Sequence, residues 1–157
     1  GGVIMNRYMS RDNKSRHQRQ TTDAFELATA FTNQAAIQCI AMQPNNLKEL
    51  PEDELNFLRQ IPTTWDETRF VDGYPGKYAV LARRHGSQWY VAGINATKEP
   101  LTLSLSLPMF AAGSKVTLLN DKVERKVVGG IQISELKTDK KGQAKVVIQP
   151  NGGCVIY

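Results

Sequence analysis

No stretch of this 157-residue sequence approaches the run of about 18 apolar residues that a bilayer-spanning helix requires, so no membrane span is expected. Cysteine is scarce: only Cys39 and Cys154 are present, one in an apolar run expected to be helical and the other in a terminal strand. Two buried thiols rather than a disulfide are expected, and a pair cannot by itself define a metal site. Nor do two cysteines fix a redox compartment. The two histidines have no cysteine or carboxylate at ligand spacing: His17 lies in a basic lead and His85 precedes Gly86 in a turn, and both read as solvated. Gly129-Gly130 and Gly152-Gly153 lack the following Lys-Ser/Thr of a phosphate loop, and no serine sits in a nucleophile elbow. The opening Gly1-Gly2 has neither a basic nor an apolar leader region behind it and reads as a cut site, which leaves the location of an intact protein open.

What is there is a globular composition, with 41% apolar and 22% charged residues, in the length range of one domain or of a small domain plus part of another. The net charge of +5 is unevenly spread. Residues 1–22 carry five Lys/Arg against one acid, residues 23–62 two against six, and residues 63–157 thirteen against eight. A nucleic-acid binder needs a basic stripe interleaved with aromatics or aligned on a helix. Arg7, Arg11, Lys14, Arg16 and Arg19 have only Tyr8 beside them and no helical repeat, so a solvated loop and no nucleic-acid partner are expected.

Two helices are expected, then strands to the end. Thr21-Thr22-Asp23 followed by Glu26 supplies the oxygens that cap a helix start near Asp23. Apolar residues then recur at Ala24, Leu27, Ala28, Phe31, Ala35, Cys39 and Met42, with Phe25, Ala36, Ile37 and Ile40 on the other sides, as far as Pro44. A helix apolar nearly all round needs burial from every direction, and with one short companion it predicts cover from a missing domain. That companion spans about 51–60, from Pro51 and the acidic Glu52, Asp53 and Glu54 through Leu55, Phe57 and Leu58 to the stop at Pro62. From Thr63 the period changes to 2. Leu101, Leu103, Leu105 and Leu107 alternate with Thr102, Ser104 and Ser106 in a half-buried strand. Lys77 to Arg84 and Gln88 to Asn95 form a hairpin through His85-Gly86-Ser87. Further strands are expected at Thr64–Val71, Lys115–Asn120, Ile131–Leu136, Ala144–Ile148 and Gly153–Tyr157. The expected fold is mainly β: an antiparallel sandwich of about eight strands over residues 63–157, preceded by a polar lead and two helices over residues 1–62.

Chemistry is hard to assemble from these residues. Asp66 and Glu67 are the tempting carboxylate pair, but neighbours in a strand point to opposite faces, and Asp72-Gly73 is first a turn signal. Trp65, Tyr74, Trp89 and Tyr90 could stack on sugar rings. Trp89 and Tyr90 face opposite ways, so at least one of them is expected in the core, and Trp65 and Tyr74 are the candidate sugar-stacking residues. Trp65, with Asp66, Glu67 and Arg69, is also the candidate domain interface, an aromatic body packing while charged neighbours bridge.

The run Phe57-Leu58-Arg59-Gln60-Ile61-Pro62-Thr63-Thr64-Trp65-Asp66-Glu67-Thr68-Arg69 resembles the join between catalytic barrel and C-terminal domain in glycoside hydrolase family 97. The likeness continues in order through Asp72-Gly73-Tyr74-Pro75-Gly76-Lys77-Tyr78, Leu81-Ala82-Arg83-Arg84 and Trp89-Tyr90-Val91-Ala92-Gly93-Ile94-Asn95. Upstream, Gln20-Thr21-Thr22-Asp23 leading into the apolar helix resembles the last helix of that (β/α)8 barrel. The resemblance implies a parent α-glucosidase or α-galactosidase, calcium at its active site, and a periplasmic or secreted location. The implied partners are the parent's barrel, its N-terminal domain and its oligosaccharide substrate. The catalytic and calcium-binding motifs of the family have no counterpart in this sequence, so no catalytic or metal residue is carried over. The expected role is a non-catalytic structural module, with a carbohydrate-binding module as the alternative.

Overall fold

The computed structural model describes residues 2–9, 17–35, 37–124 and 127–157. Its elements are β1 (Gly2–Ile4), β2 (Tyr8–Met9), β3 (His17–Gln18), α1 (Asp23–Thr32), β4 (Cys39–Ala41), α2 (Asn46–Glu49) and α3 (Glu52–Gln60). The strands β5 (Glu67–Tyr74), β6 (Tyr78–His85), β7 (Gln88–Asn95), β8 (Leu101–Ser106), β9 (Lys115–Glu124), β10 (Val127–Lys137), β11 (Gln143–Ile148) and β12 (Gly153–Ile156) follow. Each strand expected after residue 63 overlaps an observed one.

Six of these strands form an antiparallel sheet in the order β10-β9-β12-β7-β6-β5. Chain reversal between β6 and β7 takes only Gly86 and Ser87, with His85 paired to Gln88; Gly86 supplies the positive φ, 57°, that such a turn needs at its first central position. The last strand, β12, lies inside the sheet between β7 and β9, and all four of its residues are buried. One face carries Val80, Ala82, Val91, Leu118, Cys154 and Ile156. Against it packs the ribbon of β8 and β11, where Leu103, Leu105, Ala144, Val146 and Ile148 alternate with exposed residues. The opposite face carries Ala92, Leu119 and Val155, and these share a core with Leu27, Ala28 and Phe31 of α1 and Leu55, Phe57 and Leu58 of α3.

The helical part departs from expectation in three ways. First, α1 ends at Thr32, where the Asn33 N–H closes the last turn on the Thr29 carbonyl at 2.9 Å, and the helix does not run on to Met42. The apolar residues beyond it belong to another element: Cys39, Ile40 and Ala41 form β4, which pairs in parallel with β1 in the register Gly2–Cys39, Val3–Ile40, Ile4–Ala41. The apolar run therefore added a buried helix to a strand, and only their sum looked like a long all-round helix. Second, residues 2–4 are a strand, with Val3 buried, rather than a polar lead. Third, α1 is covered by this chain itself: eight of its ten residues are buried, against the sheet on one side and Val3 and Met5 on the other. The exposed apolar side chains lie after it, with Ile37 81% exposed and Ile40 and Leu47 also open. A strand, a helix and a parallel strand make a βαβ unit, and α3 follows as the helix of the next one. Pro51 stands just ahead of α3 as its N-cap rather than at its first helical position.

Candidate domain interface

The junction between α1 and the sheet is assembled from both ends of the helix. At its start the Thr22 hydroxyl accepts from the Phe25 N–H at 3.1 Å, and the Thr22 N–H donates to Asn151 just before β12. Glu26 does not turn back to cap the helix; it accepts from the Thr21 hydroxyl and from the Ile4 N–H, at 2.9 Å for the latter, and so ties β1 to the helix. Gly153 allows the closest approach. A Cβ placed there would stand 2.5 Å from the Ala24 carbonyl oxygen, so β12 and α1 meet backbone to backbone. At the far end no basic residue of the helix faces its last carbonyls. Arg83 of β6 supplies the cation instead, donating to the carbonyls of Phe31 at 3.5 Å and Asn33 at 3.3 Å, and to the Thr68 hydroxyl at 3.1 Å.

Trp65 sits at this end. Its ring packs on Phe31 at 5.4 Å and edge-on to Tyr90 at 5.8 Å, with the Arg83 guanidinium 4.7 Å above it. Tyr90 stacks in turn on Phe31 and Tyr157, and Phe57 of α3 closes the group on Phe31 and Tyr157. Burial raises the hydroxyl pKa of both Tyr90 and Tyr157. Both faces of α1's C-terminal turn are thus lined by aromatic rings from the sheet and from α3.

Under the start of α1 lies a group of charges. Asp23, buried, accepts from Arg7 (Nε to Oδ1, 3.4 Å; Nη2 to Oδ2) and from Arg19, whose Nη1 also reaches the Ile4 carbonyl at 2.5 Å. Burial pushes the Asp23 carboxyl up, but the hydrogen bonds and charges of the two arginines outweigh it and hold it below the usual carboxylate value. Glu54 of α3 is fully buried beside it. Among the described residues neither of its oxygens finds a hydrogen-bond donor, and Arg7 Nη2 is 3.7 Å from Oε1. Burial and the neighbouring Asp23 charge push Glu54 up to about 8, against the pull of Arg7. Asp121 of β9 accepts from the Gly153 N–H at 3.1 Å; burial pushes it up to about 6 despite that bond and one from Thr22. These acids lie between layers rather than in a cleft.

The charged residues expected to bridge lie just before β5 and along its start. The Asp66 carboxylate accepts from the Gly86 N–H at 2.7 Å, while Glu67 accepts from Arg69 Nε at 2.6 Å and Arg84 Nε at 3.3 Å. The Arg69 and Arg84 bonds, against a smaller cost of desolvation, lower the Glu67 pKa. Both guanidiniums lie over the Trp89 ring, at 4.6 and 5.8 Å. Asp66 and Glu67 are thus consumed in a local ladder and do not oppose each other across a cleft. Asp72 lies in the β5–β6 hairpin and accepts from its own neighbour Gly73 N–H and from the Tyr78 hydroxyl. Trp65 and Tyr74 are not brought together: Trp65 is enclosed on the helix side, while Tyr74 is exposed at the far end of β5 with the Lys77 ammonium 4.7 Å over its ring. The Nδ1 of exposed His85 lies 2.9 Å from the Thr64 carbonyl oxygen. The His17 side chain lies outside the described residues. Both cysteines are free; Cys154 is buried, with its thiol pushed up to about 12, but Cys39 is exposed because it stands on a strand and not inside a helix. Among the described residues no group of three or more His, Cys, Asp and Glu side chains could hold a metal ion, so the residues present do not fit a calcium site.

Asp23, Glu54, Asp121, Arg19 and Arg83 carry the junction, and sequence reasoning singled out none of them as such. Glu54 stood in an acidic first turn of the kind that favours a helix start, and Arg83 inside a strand pattern. The one usable signal was a charged residue at an apolar-facing phase of the period, such as Arg83, which falls in step with Ala79 and Leu81 of the same strand.

The sequence profile of the family described as "Glycosyl-hydrolase 97 C-terminal, oligomerisation" matches residues 64–157. A retaining alpha-galactosidase of Bacteroides thetaiotaomicron is 31% identical over 138 residues, which is 85% of this chain and 20% of that protein. Among solved structures, a beta-arabinopyranosidase is 47% identical with a TM-score of 0.88 over 99% of this chain and 24% of its own. A glycoside hydrolase family 97 enzyme from a Pseudoalteromonas species, in complex with acarbose, shares the fold at 21% identity and a TM-score of 0.72, over 90% of this chain and 23% of its own. The chain spans about a fifth to a quarter of the length of these relatives.

Proposed function

The chain belongs to the family of glycosyl-hydrolase 97 C-terminal domains, and from that premise we propose that it is the non-catalytic C-terminal part of a larger glycosidase, holding the β-domain onto the enzyme's barrel. The carrying observation is the shared core: Leu27, Phe31, Leu55, Phe57 and Leu58 from the helices pack with Ala92, Leu119 and Val155 from the sheet, under an aromatic group centred on Phe31. The βαβ unit of β1, α1 and β4, followed by α3, is the closing part of the parent's barrel, so the division near residue 63 is one of architecture and not of packing.

Alpha-galactosides lead the proposed substrate class. The galactosidase and arabinopyranosidase relatives support this together, since a β-L-arabinopyranoside has the ring stereochemistry of an α-D-galactoside without the exocyclic hydroxymethyl group. The same reading assigns the reacting carboxylates and the calcium ion to the parent's other domains, and the intact enzyme to the periplasm or the cell exterior. Self-association of the parent is part of the proposal, in keeping with the family's description. Turnover of p-nitrophenyl α-galactoside, α-glucoside and β-L-arabinopyranoside by the full-length enzyme and by this chain tests it. Activity confined to the full-length enzyme, greatest on the first or third substrate, is expected; turnover by this chain alone would refute the non-catalytic role.

A further inference from the structure

The helix-bearing face of the six-stranded sheet is only partly covered. Glu54 of α3 lies against Gly130 of β10, with a Cβ at Gly130 3.9 Å from its Oε1, and Phe57 meets Tyr157 at the end of β12. Next comes α1, running from Gly153 and Asp121 to the Arg83 side chain on β6. Beyond α1 the same face continues over β6 and β5. Register places Ala79, Leu81 and Arg83 of β6 level with Ile94, Ala92 and Tyr90 of β7, which face the helices, and places Phe70 of β5 beside Leu81 and Thr68 beside Arg83. Phe70 is 71% exposed, the most open aromatic ring among the described residues, and no described element of this chain lies over it.

Strands are spaced about 4.8 Å apart and packed helices about 8–10 Å, so one helix covers roughly two strands and six strands have room for about three helices. This chain supplies two, α3 and α1, side by side and each following a parallel strand. Successive right-handed βα units step in one direction. In this sheet the step from the later unit to the earlier one runs from β10 towards β5. One further step lands on Thr68, Phe70, Ala79 and Leu81.

We propose that the helix of the βα unit preceding β1 in the longer parent docks on this strip beside α1, with Phe70 as its anchor. This rests on the reading of the chain as the end of a barrel enzyme, and on the continuity of the strip with the α3–α1 seat. The bulge between Phe70 and Asp72 suits it, because the register shift puts Val71 and Asp72 on the ribbon side and leaves the Phe70 ring lying over Gly73, where a Cβ would stand 3.1 Å from Cε2. A flat aromatic surface results, suited to a helix's apolar stripe rather than to strand addition.

The test uses the full-length enzyme with p-benzoylphenylalanine in place of Phe70, irradiated and mapped by mass spectrometry. An intramolecular cross-link to a helical segment upstream of β1 is expected, together with a lower unfolding temperature for Phe70→Asp that Phe70→Leu largely restores. Cross-links joining two copies overturn the proposal in favour of a dimer contact, and so does the absence of any upstream cross-link in an enzyme that hydrolyses its glycoside. If instead the full-length protein contains no barrel and cleaves no glycoside, the underlying functional reading fails first.

Discussion

A carboxylic acid with no solvent contact and no hydrogen-bond donor keeps its proton well past the usual pH, and among the described residues Glu54 is such a group. Its folded pKa of about 8 lies above the ordinary value of 4.5, so between those pH values the native state binds one proton more than the unfolded chain. Stability contributed by Glu54 is therefore full below about 4.5, falls as pH rises, and levels off above about 8, a loss on the order of a few kcal/mol. Asp121 adds a smaller loss in the same direction between 3.8 and about 6. Asp23, held down by Arg7 and Arg19, works oppositely: its contribution is present above 3.8 and lost as pH falls through its depressed value. Glu54→Gln is expected to flatten the decline in melting temperature from pH 5 to 8 and to raise stability at pH 8; parallel curves for the two proteins would contradict the assignment. Arg83→Met, which strips the carbonyls of Phe31 and Asn33 of their donor, is expected to cost about 2 kcal/mol in chemical denaturation. Neither role was legible in the sequence. A buried acid and an exposed one look alike in a helix's first turn, and only the arrival of Asp23 and Arg7 from elsewhere separates them.

At the scale of elements, the strands could be read directly because a sheet with one wet face prints its period on the chain, as in Leu101 to Leu107. Helix starts could be read for a similar reason: Thr22 carries a capping hydroxyl in its own side chain, and Pro51 has the fixed φ and missing N–H that suit the edge of a helix. The three-residue strands β1 and β4 could not. Three residues hold too little of any period, and β4 follows α1 in one unbroken apolar run. Nor could the order of strands be read, since β12 enters the sheet between two strands far from it in sequence. Gly153, where β12 crosses α1, gives the sharpest element-scale expectation. Gly153→Ala forces the Ala24 carbonyl away and is expected to cost about 1–3 kcal/mol, seen as a lower denaturation midpoint with an unchanged slope. Gly2→Ala, which meets only an ordinary 3.7 Å contact, serves as the control. Ile156→Ala in the central strand is expected to cost about 2–5 kcal/mol by the same measurement.

At the scale of the whole molecule, the residues read from the sequence as a candidate interface differ in what they contact. Trp65 lies between helix and sheet, while its charged neighbours Asp66, Glu67 and Arg69 bind one another and Arg84 instead of reaching across. What joins the two parts is apolar packing around Phe31 and the Arg83 and Gly153 contacts, which join residues far apart in sequence and so leave no local pattern. On the proposed reading, a core shared this way makes the helices and the sheet a single cooperative unit and couples the β-domain to the barrel that α1 and α3 close. Differential scanning calorimetry of the full-length enzyme tests that coupling most directly. One transition that takes residues 63–157 and the barrel together, shifted as a whole to lower temperature by Ile156→Ala, is the expected result. A separate transition for the β-domain, moved by Ile156→Ala while the barrel's stays fixed, would contradict it.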